Sequence, residues 1–587
     1  MFKKHILPIL LTLAAGFIYF YFALPALHIR ASSFWGFLLF LAVFYLGVRL
    51  LCAGRLKKYV DLKGRTVTWP SREPSVGKRP AGKRVRLVIG VVAAAALAVG
   101  IGIWVSSSQM FRAASYQKML TVEEGVFQDD IAELSFSQIP VVDKDTAQRL
   151  GSRKIGDMVE LVSQFSVSDL YTQINYQQKP FRVSPLEYAS FFKWMANRKE
   201  GIPYYVTIDM TSQDTQMVQL EEGMKYSPSE YLGRDLMRHI RFQYPTKMIY
   251  NLNFEIDDQG HPYWTASVYD YTIGFLGGKD ITGLILVDAV TGETVYHDVG
   301  DVPQWLDQVF PADLVVEQAD YWGKYGSGYW NTVFSQKGVV TTTEGYNYIA
   351  VNDDVWLFTG ITSVVSDKSN IGFIMVNLRT KECKRYTVNG AEEFSAMSSA
   401  EGKVQEKGYK ATFPILMNIA DQPTYFISLK DNAGLVKAYS FVSVVDYQIV
   451  GVGDTLEAAQ SEYIRLLGAE SAPDQSAAET VEGVVARVAS AVKEGDSYYY
   501  ITLVGDDRVY VASIQISDRL PILAVGDRVS LSSLPRDDGF REVVSIALPA
   551  AQNTGAPAAS DGQTDSPAQD AGGESSSQPA DGTSAVG

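Results

Sequence analysis

Gly283-Leu-Ile-Leu-Val-Asp-Ala-Val-Thr-Gly-Glu293 aligns without a gap with Gly372-Phe-Ile-Met-Val-Asn-Leu-Arg-Thr-Lys-Glu382. Gly, Ile, Val, Thr and Glu coincide, and Asp288 stands opposite Asn377. In each copy an apolar, β-branched run meets a polar turn, and a second short apolar run follows. Each copy therefore reads as strand, turn, strand. Upstream, Trp264 and Trp356 occupy comparable places. The two passages predict a duplicated unit of helix plus antiparallel sheet over residues 246–467.

Other elements spread outward from this pair. Asp143–Leu150 reads as a short helix. Ser184-Pro185-Leu186-Glu187 has the form of a capping box, with Tyr188, Phe191, Phe192 and Met195 behind it on one helical face. Ser227-Pro228-Ser229-Glu230 repeats that start, with Leu232, Leu236, Met237 and Ile240 as the stripe and Pro245 as the stop. Residues 301–322 and 391–407 read as helices, and Asp454-Thr455-Leu456-Glu457 opens a last one with Leu456, Ala459, Tyr463 and Leu466 inward. Strands are expected at 202–207, 261–266 and 422–427, each with a Pro followed by aromatic and β-branched residues.

Residues 468–480 form a linker. Five short strands within 481–548 (484–488, 498–503, 508–512, 528–531 and 543–546) predict a small OB-like or SH3-like barrel. Residues 549–587 hold no aromatic residue and read as a disordered tail.

The N-terminal portion is of another kind. Three apolar runs, about 6–27, 34–51 and 87–105, are each long enough for a bilayer core of ~30 Å at 1.5 Å per residue. The segment 54–86 between the second and third carries eleven Lys and Arg against Asp61 and Glu73. Short basic loops stay cytoplasmic. This predicts a membrane domain over 1–106, a cytoplasmic N-terminus and loop, and extracytoplasmic placement of 107–587 in the plasma membrane. Residues 107–245 then open the exported part as an α+β region. The charge divides accordingly: 1–106 hold 15 basic and 2 acidic residues, leaving 37 basic and 64 acidic beyond them. An exported part this acidic argues against nucleic acid as a partner. Membrane lipid and envelope proteins or peptides are the expected partners.

Little in the sequence points to chemistry. The two cysteines, Cys52 and Cys383, exclude a disulfide scaffold, and they fall on opposite sides of the expected membrane. An exported region of this size without disulfides fits a bacterial surface. The five histidines show no metal-ligand spacing, and no nucleophile elbow, P-loop or G-x-G-x-x-G occurs, so no metal, cofactor or catalytic residue is expected. His239 reads as a helix-surface residue and His297 as an exposed strand residue. Asp257-Asp258 and Asp353-Asp354 read as turns. The most unusual segment is 321–330, where Tyr321, Trp322, Tyr325, Tyr329 and Trp330 alternate with glycines. Two readings stand: a stacking platform for a sugar or peptide, and core aromatics that pin the two repeat copies together.

The passage Leu286-Val287-Asp288-Ala289-Val290-Thr291-Gly292-Glu293-Thr294-Val295 resembles the closing hairpin of PepSY domains, which end in a strand, a D-x-x-T-G turn and a further strand. The preceding helix and the Tyr263-Trp264 strand are similar in order. The second copy departs from the pattern at Asn377 and Lys381. The resemblance implies a non-catalytic, membrane-anchored envelope protein that binds peptides, modulates a peptidase or scaffolds an assembly. The alternative from a different class is an envelope hydrolase acting on cell-wall material, which needs a pair of carboxylates at an open cleft.

Overall fold

The computed structural model describes residues 6–52, 83–132, 136–351, 353–364, 366–470, 479–493, 496–517, 519–535 and 539–547. The expected tail at 549–587, most of the linker and nearly all of the basic loop lie outside these residues. The chain divides into two compact units, 1–470 and 471–587.

Two helices, Ser32–Cys52 and Gly90–Gln117, are long and apolar enough to cross a membrane, and Leu7–Ala23 is a shorter apolar helix. Within the last of the long pair, Ser108 caps a separate turn of helix that begins at Gln109. One end of each apolar helix meets the same β-rich body. The carbonyls of Tyr21 and Leu24 accept from Arg238 Nε (3.0 Å) and Arg241 Nε (3.1 Å). Leu27 N–H donates to Pro245 O at 2.7 Å, and Arg30 pairs with Asp270 at 3.0 Å. Ser107 Oγ accepts from the N–H groups of Phe275 and Leu276, each at 3.0 Å.

The β-rich body holds four antiparallel meanders in chain order, the third extended at its edge by Glu123–Gly125, which pairs in parallel with Cys383–Tyr386. Their long strands are Lys179–Tyr188, Ile202–Asp209 and Thr215–Met224 in the first, and Met248–Ile256, Pro262–Ile273, Gly277–Asp288 and Thr294–Asp298 in the second. The third holds Asn347–Val351, Asp354–Ser363, Ser366–Asn377 and Cys383–Tyr386, and the fourth Ile415–Ile419, Gln422–Lys430, Val436–Ser443 and Val450–Gly453. A helix precedes each: Lys144–Gly156, Leu236–Gln243, Ala312–Tyr325 and Glu393–Lys403. Successive meanders pack face to face. Tyr205 meets Phe254 between the first and second, Ser267 and Leu378 both bond the 302–311 segment between the second and third, and Phe373 meets Tyr425 between the third and fourth. Residues 139–143 close the circuit, since Val141 N–H donates to Met210 O in the first meander while Val141 O accepts from Ser428 Oγ in the fourth. This is the plan of a four-bladed β-propeller.

Helix plus antiparallel meander occurs four times along the chain, and the first of these units begins near residue 144. The repeat shows best where each blade begins. The first edge is broken in blades one, three and four (Phe165–Val167 and Thr172–Tyr176; Val340–Thr342 and Asn347–Val351; Lys410–Ala411 and Ile415–Ile419) and bulged between Ile249 and Leu252 in blade two. In blades one, three and four a two-residue hairpin follows, closed by Tyr176–Lys179, Val351–Asp354 and Ile419–Gln422. Gln177, Gln178, Asp353, Ala420 and Asp421 take positive φ there, and none is the glycine such turns favour. Sequence reading misses the first and last of these turns for that reason, whereas Asp353-Asp354 reads as a turn from its acidic pair. Ala420, at φ +51°, is held in the left-handed region against its Cβ. Ala420→Gly is expected to raise stability by about 0.5–1 kcal/mol, read as a higher melting temperature.

The two quoted hairpins match atom for atom. Asp288 Oδ1 accepts from Val290 and Thr291 N–H, and Asn377 Oδ1 accepts from Arg379 and Thr380 N–H. Gly292 and Lys381 both have positive φ, +78° and +66°. The Lys381 side chain reaches across to blade two, with Nζ 2.7 Å from Asp280. The tryptophans differ by one register step. Trp264 is paired with Val287 and Trp356 with Asn377, so Trp356 is the counterpart of Tyr263 and the two indoles lie on opposite sheet faces.

Several helix expectations need correction. Ser184–Glu187 lies inside the strand Lys179–Tyr188, and the helix is only Phe191–Asn197, capped by Ser190. That strand is buried on both faces, so it lacks the alternation that marks a strand in sequence. Ser227–Glu230 is a turn, and the helix Leu236–Gln243 takes Asp235 as its cap. The expected helix at 301–322 begins only at Ala312 and runs to Tyr325, since 302–311 wedges as irregular chain between blades. The expected 143–150 helix extends to Gly156 with Asp143 as its cap, and 391–407 contains the helix Glu393–Lys403. The last helix, Leu456–Glu470, runs into the expected linker and buries Ala459 and Tyr463.

The second unit is a closed barrel of five strands: Glu479–Lys493, Asp496–Leu503, Val509–Ser513, Arg528–Pro535 and Arg541–Ala547. The third pairs in parallel with the fifth, which closes on the fourth and so back to the first. That order is OB-type, settling the choice left open by sequence.

Candidate functional site

The aromatic segment 321–330 does not form one platform. Tyr321, Tyr325 and Tyr329 stack successively at 6.1 and 6.2 Å, with Tyr116 edge-on to Tyr321 at 4.9 Å. Gln109 bonds both the Tyr321 and Tyr325 hydroxyls. Trp322 points elsewhere, into the core between blades two and three, under the guanidinium of Arg385. Trp330 is exposed and stacks on Phe334, itself 78% exposed. Tyr329 shares a pocket with Gly100 and Trp104 of the third apolar helix. The helix periodicity that places Tyr321 and Tyr325 together sends Trp322 to the opposite side.

A groove of about 790 Å³ runs between blades one and two. Its outer wall is the strand Thr215–Met224, the last of blade one, which pairs only with Ile202–Asp209 among the described residues. Pro203 sits at a bulge in that pairing, where its missing N–H leaves no gap in the ladder. Tyr176, Phe181, Tyr205 and Val218 supply an apolar floor, and Asp209, Asp214, Glu221 and Glu222 line the rim. Tyr205 is fixed by its hydroxyl, which donates to Gly260 O at 2.9 Å. Gly260 has φ +81°, and a Cβ there would press on that hydroxyl. Three backbone and side-chain donors around residues 211–212 hold the Asp209 carboxyl below its usual range, against the opposing effect of burial, so it is charged. At the far end His261 Nε2 lies 3.1 Å from Asp288 Oδ2. An unpaired strand edge above an apolar floor with acidic sides suits an extended cationic chain.

The structure also pairs two carboxyls that are far apart in sequence. Glu255 Oε2 accepts from Asp307 N–H at 2.9 Å, and Asp307 Oδ2 accepts from Asn175 N–H at 2.6 Å. Both are buried. Burial pushes the Glu255 carboxyl up to about 7, and burial together with the nearby Glu255 charge raises Asp307 well above its ordinary range. Neither reaches an open cleft, so this pair does not supply the acid and base that glycosidic hydrolysis needs.

The other sequence candidates have structural duties. His239 is half-buried, with Nε2 at 2.8 Å from Gly292 O and its ring against Tyr226. His297 is half-buried on the strand Thr294–Asp298. Asp257 Oδ1 accepts from Gln259 and His261 N–H in a turn. Asp354 is buried against Arg379 at 2.6 Å, while Asp353 accepts from Asn175 Nδ2. Cys383 is buried and its thiol is raised by desolvation, the opposite of an activated cysteine. Among the described residues no group of three or more His, Cys, Asp or Glu is placed to hold a metal ion.

No family profile and no curated protein matches the chain. Among solved structures, an exo-1,5-alpha-L-arabinanase from a bovine ruminal metagenomic library aligns at 10% identity and a TM-score of 0.14, over 65% of this chain and 97% of its own. A Cellvibrio cellulosa alpha-L-arabinanase mutant aligns at 10% identity and a TM-score of 0.15, over 65% and 95%. Likeness at this level carries no argument about fold or activity.

Proposed function

We propose that the chain is a membrane-anchored, extracytoplasmic peptide-binding protein of the bacterial envelope, with PepSY-like character in its repeated helix-and-sheet units. Three spans at about 6–27, 34–51 and 87–105 hold it in the plasma membrane, with the N-terminus and the basic loop 54–86 inside. Contact of the β-rich body with one end of each apolar helix supports this topology, because those three ends would emerge on one side. Trp104, Trp330 and Phe334 would then lie at the lipid headgroups, where amphipathic rings collect. The groove beside Thr215–Met224 carries the binding reading: an extended cationic segment of an envelope protein adds as a strand and lays alternate apolar residues on Tyr205 and Val218. Modulation of a peptidase or scaffolding of an assembly would act through that segment.

One experiment has two arms. In intact cells a membrane-impermeant maleimide is expected to label Ser212→Cys and to spare Ser75→Cys; the reverse pattern rejects the topology. A fluorescent peptide of alternating Lys and Val is expected to bind the full chain in detergent. Asp214→Lys combined with Glu221→Lys is expected to weaken it about tenfold, as is raised salt. Binding unchanged by either rejects the groove.

A further inference from the structure

Arg182 lies on the strand Lys179–Tyr188, directly across from Gln173, and is buried at 5% exposure. Its Nη2 donates to Gln173 Oε1 at 3.3 Å, and its Nε has no partner. Gln173 Nε2, beside it, also has none. Among the described residues no carboxylate stands within 4 Å of this guanidinium. The nearest acids are committed or remote: Asp143 is engaged by Lys430 at 2.6 Å and by Thr146 N–H, and Asp145 is exposed. A buried guanidinium stays charged, and leaving it unpaired is strongly unfavourable.

Arg182 and Gln173 line a cavity of about 410 Å³ that blades one, two and three share with Phe413. Lys144 and Asp145, both exposed, stand at its mouth on the first turn of the helix Lys144–Gly156. Asn253, Gln308 and Asn347 supply amides, while Tyr348 and Phe413 supply flat apolar wall. Asn253 Nδ2 is already spent on Gln308 O, and Gln308 Nε2 on Gln173 O. Three unpartnered side-chain atoms belong to residues lining this cavity, Arg182 Nε, Gln173 Nε2 and the Tyr171 hydroxyl; all three can donate and the first two can only donate, so what is missing is an acceptor that bears negative charge.

We propose that this cavity binds an organic carboxylate, whose two oxygens take Arg182 Nε–H and one Nη–H while Gln173 Nε2 donates to one of them and its apolar body lies against Tyr348 and Phe413. A fork-shaped donor matches a planar carboxylate in two parallel bonds. The aromatic wall favours an acid with an apolar body over an inorganic anion. The carboxylate belongs either to a free small acid or to the C-terminus of a peptide. The proposal is independent of the groove, because different residues carry it.

The test is thermal melting of the full chain in detergent with sodium benzoate, with N-acetyl-phenylalanylglycine, with that peptide's C-terminal amide, and with benzamide. Saturable stabilisation by benzoate alone identifies a small acid, and by the free-acid peptide a chain terminus. The two amides are expected to do nothing. Arg182→Met is expected to melt higher than the parent without ligand and to lose the carboxylate response. Gln173→Leu is expected to fold and to weaken that response about tenfold, which serves if Arg182→Met does not fold. No response to either carboxylate, or an equal response to the amides or in the Arg182→Met or Gln173→Leu protein, overturns the proposal.

Discussion

Glu255→Gln is expected to raise the melting temperature by several degrees near pH 8 and to leave it almost unchanged near pH 5. The Glu255 carboxyl has an ordinary value near 4.5 in the unfolded chain and is pushed to about 7 by burial in the fold. Between those values the folded chain binds more protons than the unfolded one, so stability falls as pH rises through this window. A shift of this size corresponds to about 3 kcal/mol lost by about pH 8. Asp307 moves the same way, because it is buried and faces the Glu255 charge. Glutamine keeps an acceptor for Asp307 N–H and removes the charge. Asp143, Asp209 and Asp288 act in the opposite sense, since their carboxyls are held low and their contribution is lost only in strong acid. The parent should therefore be most stable in mildly acidic solution. Melting temperatures of parent and variant across that range decide it. A parent curve flat from about pH 5 to 8, or a variant destabilised at both ends, would show that Glu255 is charged and satisfied in the fold.

How much of this was legible beforehand depends on the range of the signal. The strands opened by Pro203, Pro262 and Pro423, the last helix and the five barrel strands follow from local composition, and all five barrel strands are present. The hairpin pair at Asp288 and Asn377 was visible because its turn chemistry is written in consecutive residues. In the other two repeats the matching turn is harder to see: Asp209–Asp214 makes the same bonds but carries Gln213, at φ +64°, where Gly292 stands, and Ser443–Ile449 is one residue longer. The strand at 179–188 was read as a helix start because burial on both faces erases the period of two. Neither candidate site had a local signature. Glu255 and Asp307 meet across 52 residues of chain, and the acidic groove is assembled from two blades.

Trp264→Phe is expected to cost several times more stability than Trp356→Phe, although sequence alone treats the two tryptophans as equivalents. Trp264 is 1% exposed, packs on Phe254 at 5.2 Å, and donates its indole N–H to Tyr226 O at 2.9 Å. That bond ties the chain leaving blade one to the face of blade two. Truncation to Phe loses volume in a closed core and leaves the Tyr226 carbonyl short of a donor, together about 2–3 kcal/mol; Ala costs about 4–5. Trp356 sits one register step away on the opposite face, is 9% exposed, and its indole nitrogen has no partner. Removing an unpaired buried N–H recovers about 1–3 kcal/mol of desolvation, which offsets most of the lost packing, so Trp356→Phe should fall within about 1 kcal/mol of the parent. Urea titrations of the full chain in detergent, followed by fluorescence of the remaining tryptophans, give both differences. Equal losses would mean that the two indoles share one environment, and the one-residue register offset between the second and third blades would be wrong. The ordering has a structural cause: in a sheet of period two, a shift of one residue exchanges a hydrogen-bonded core position for one whose polar edge is stranded.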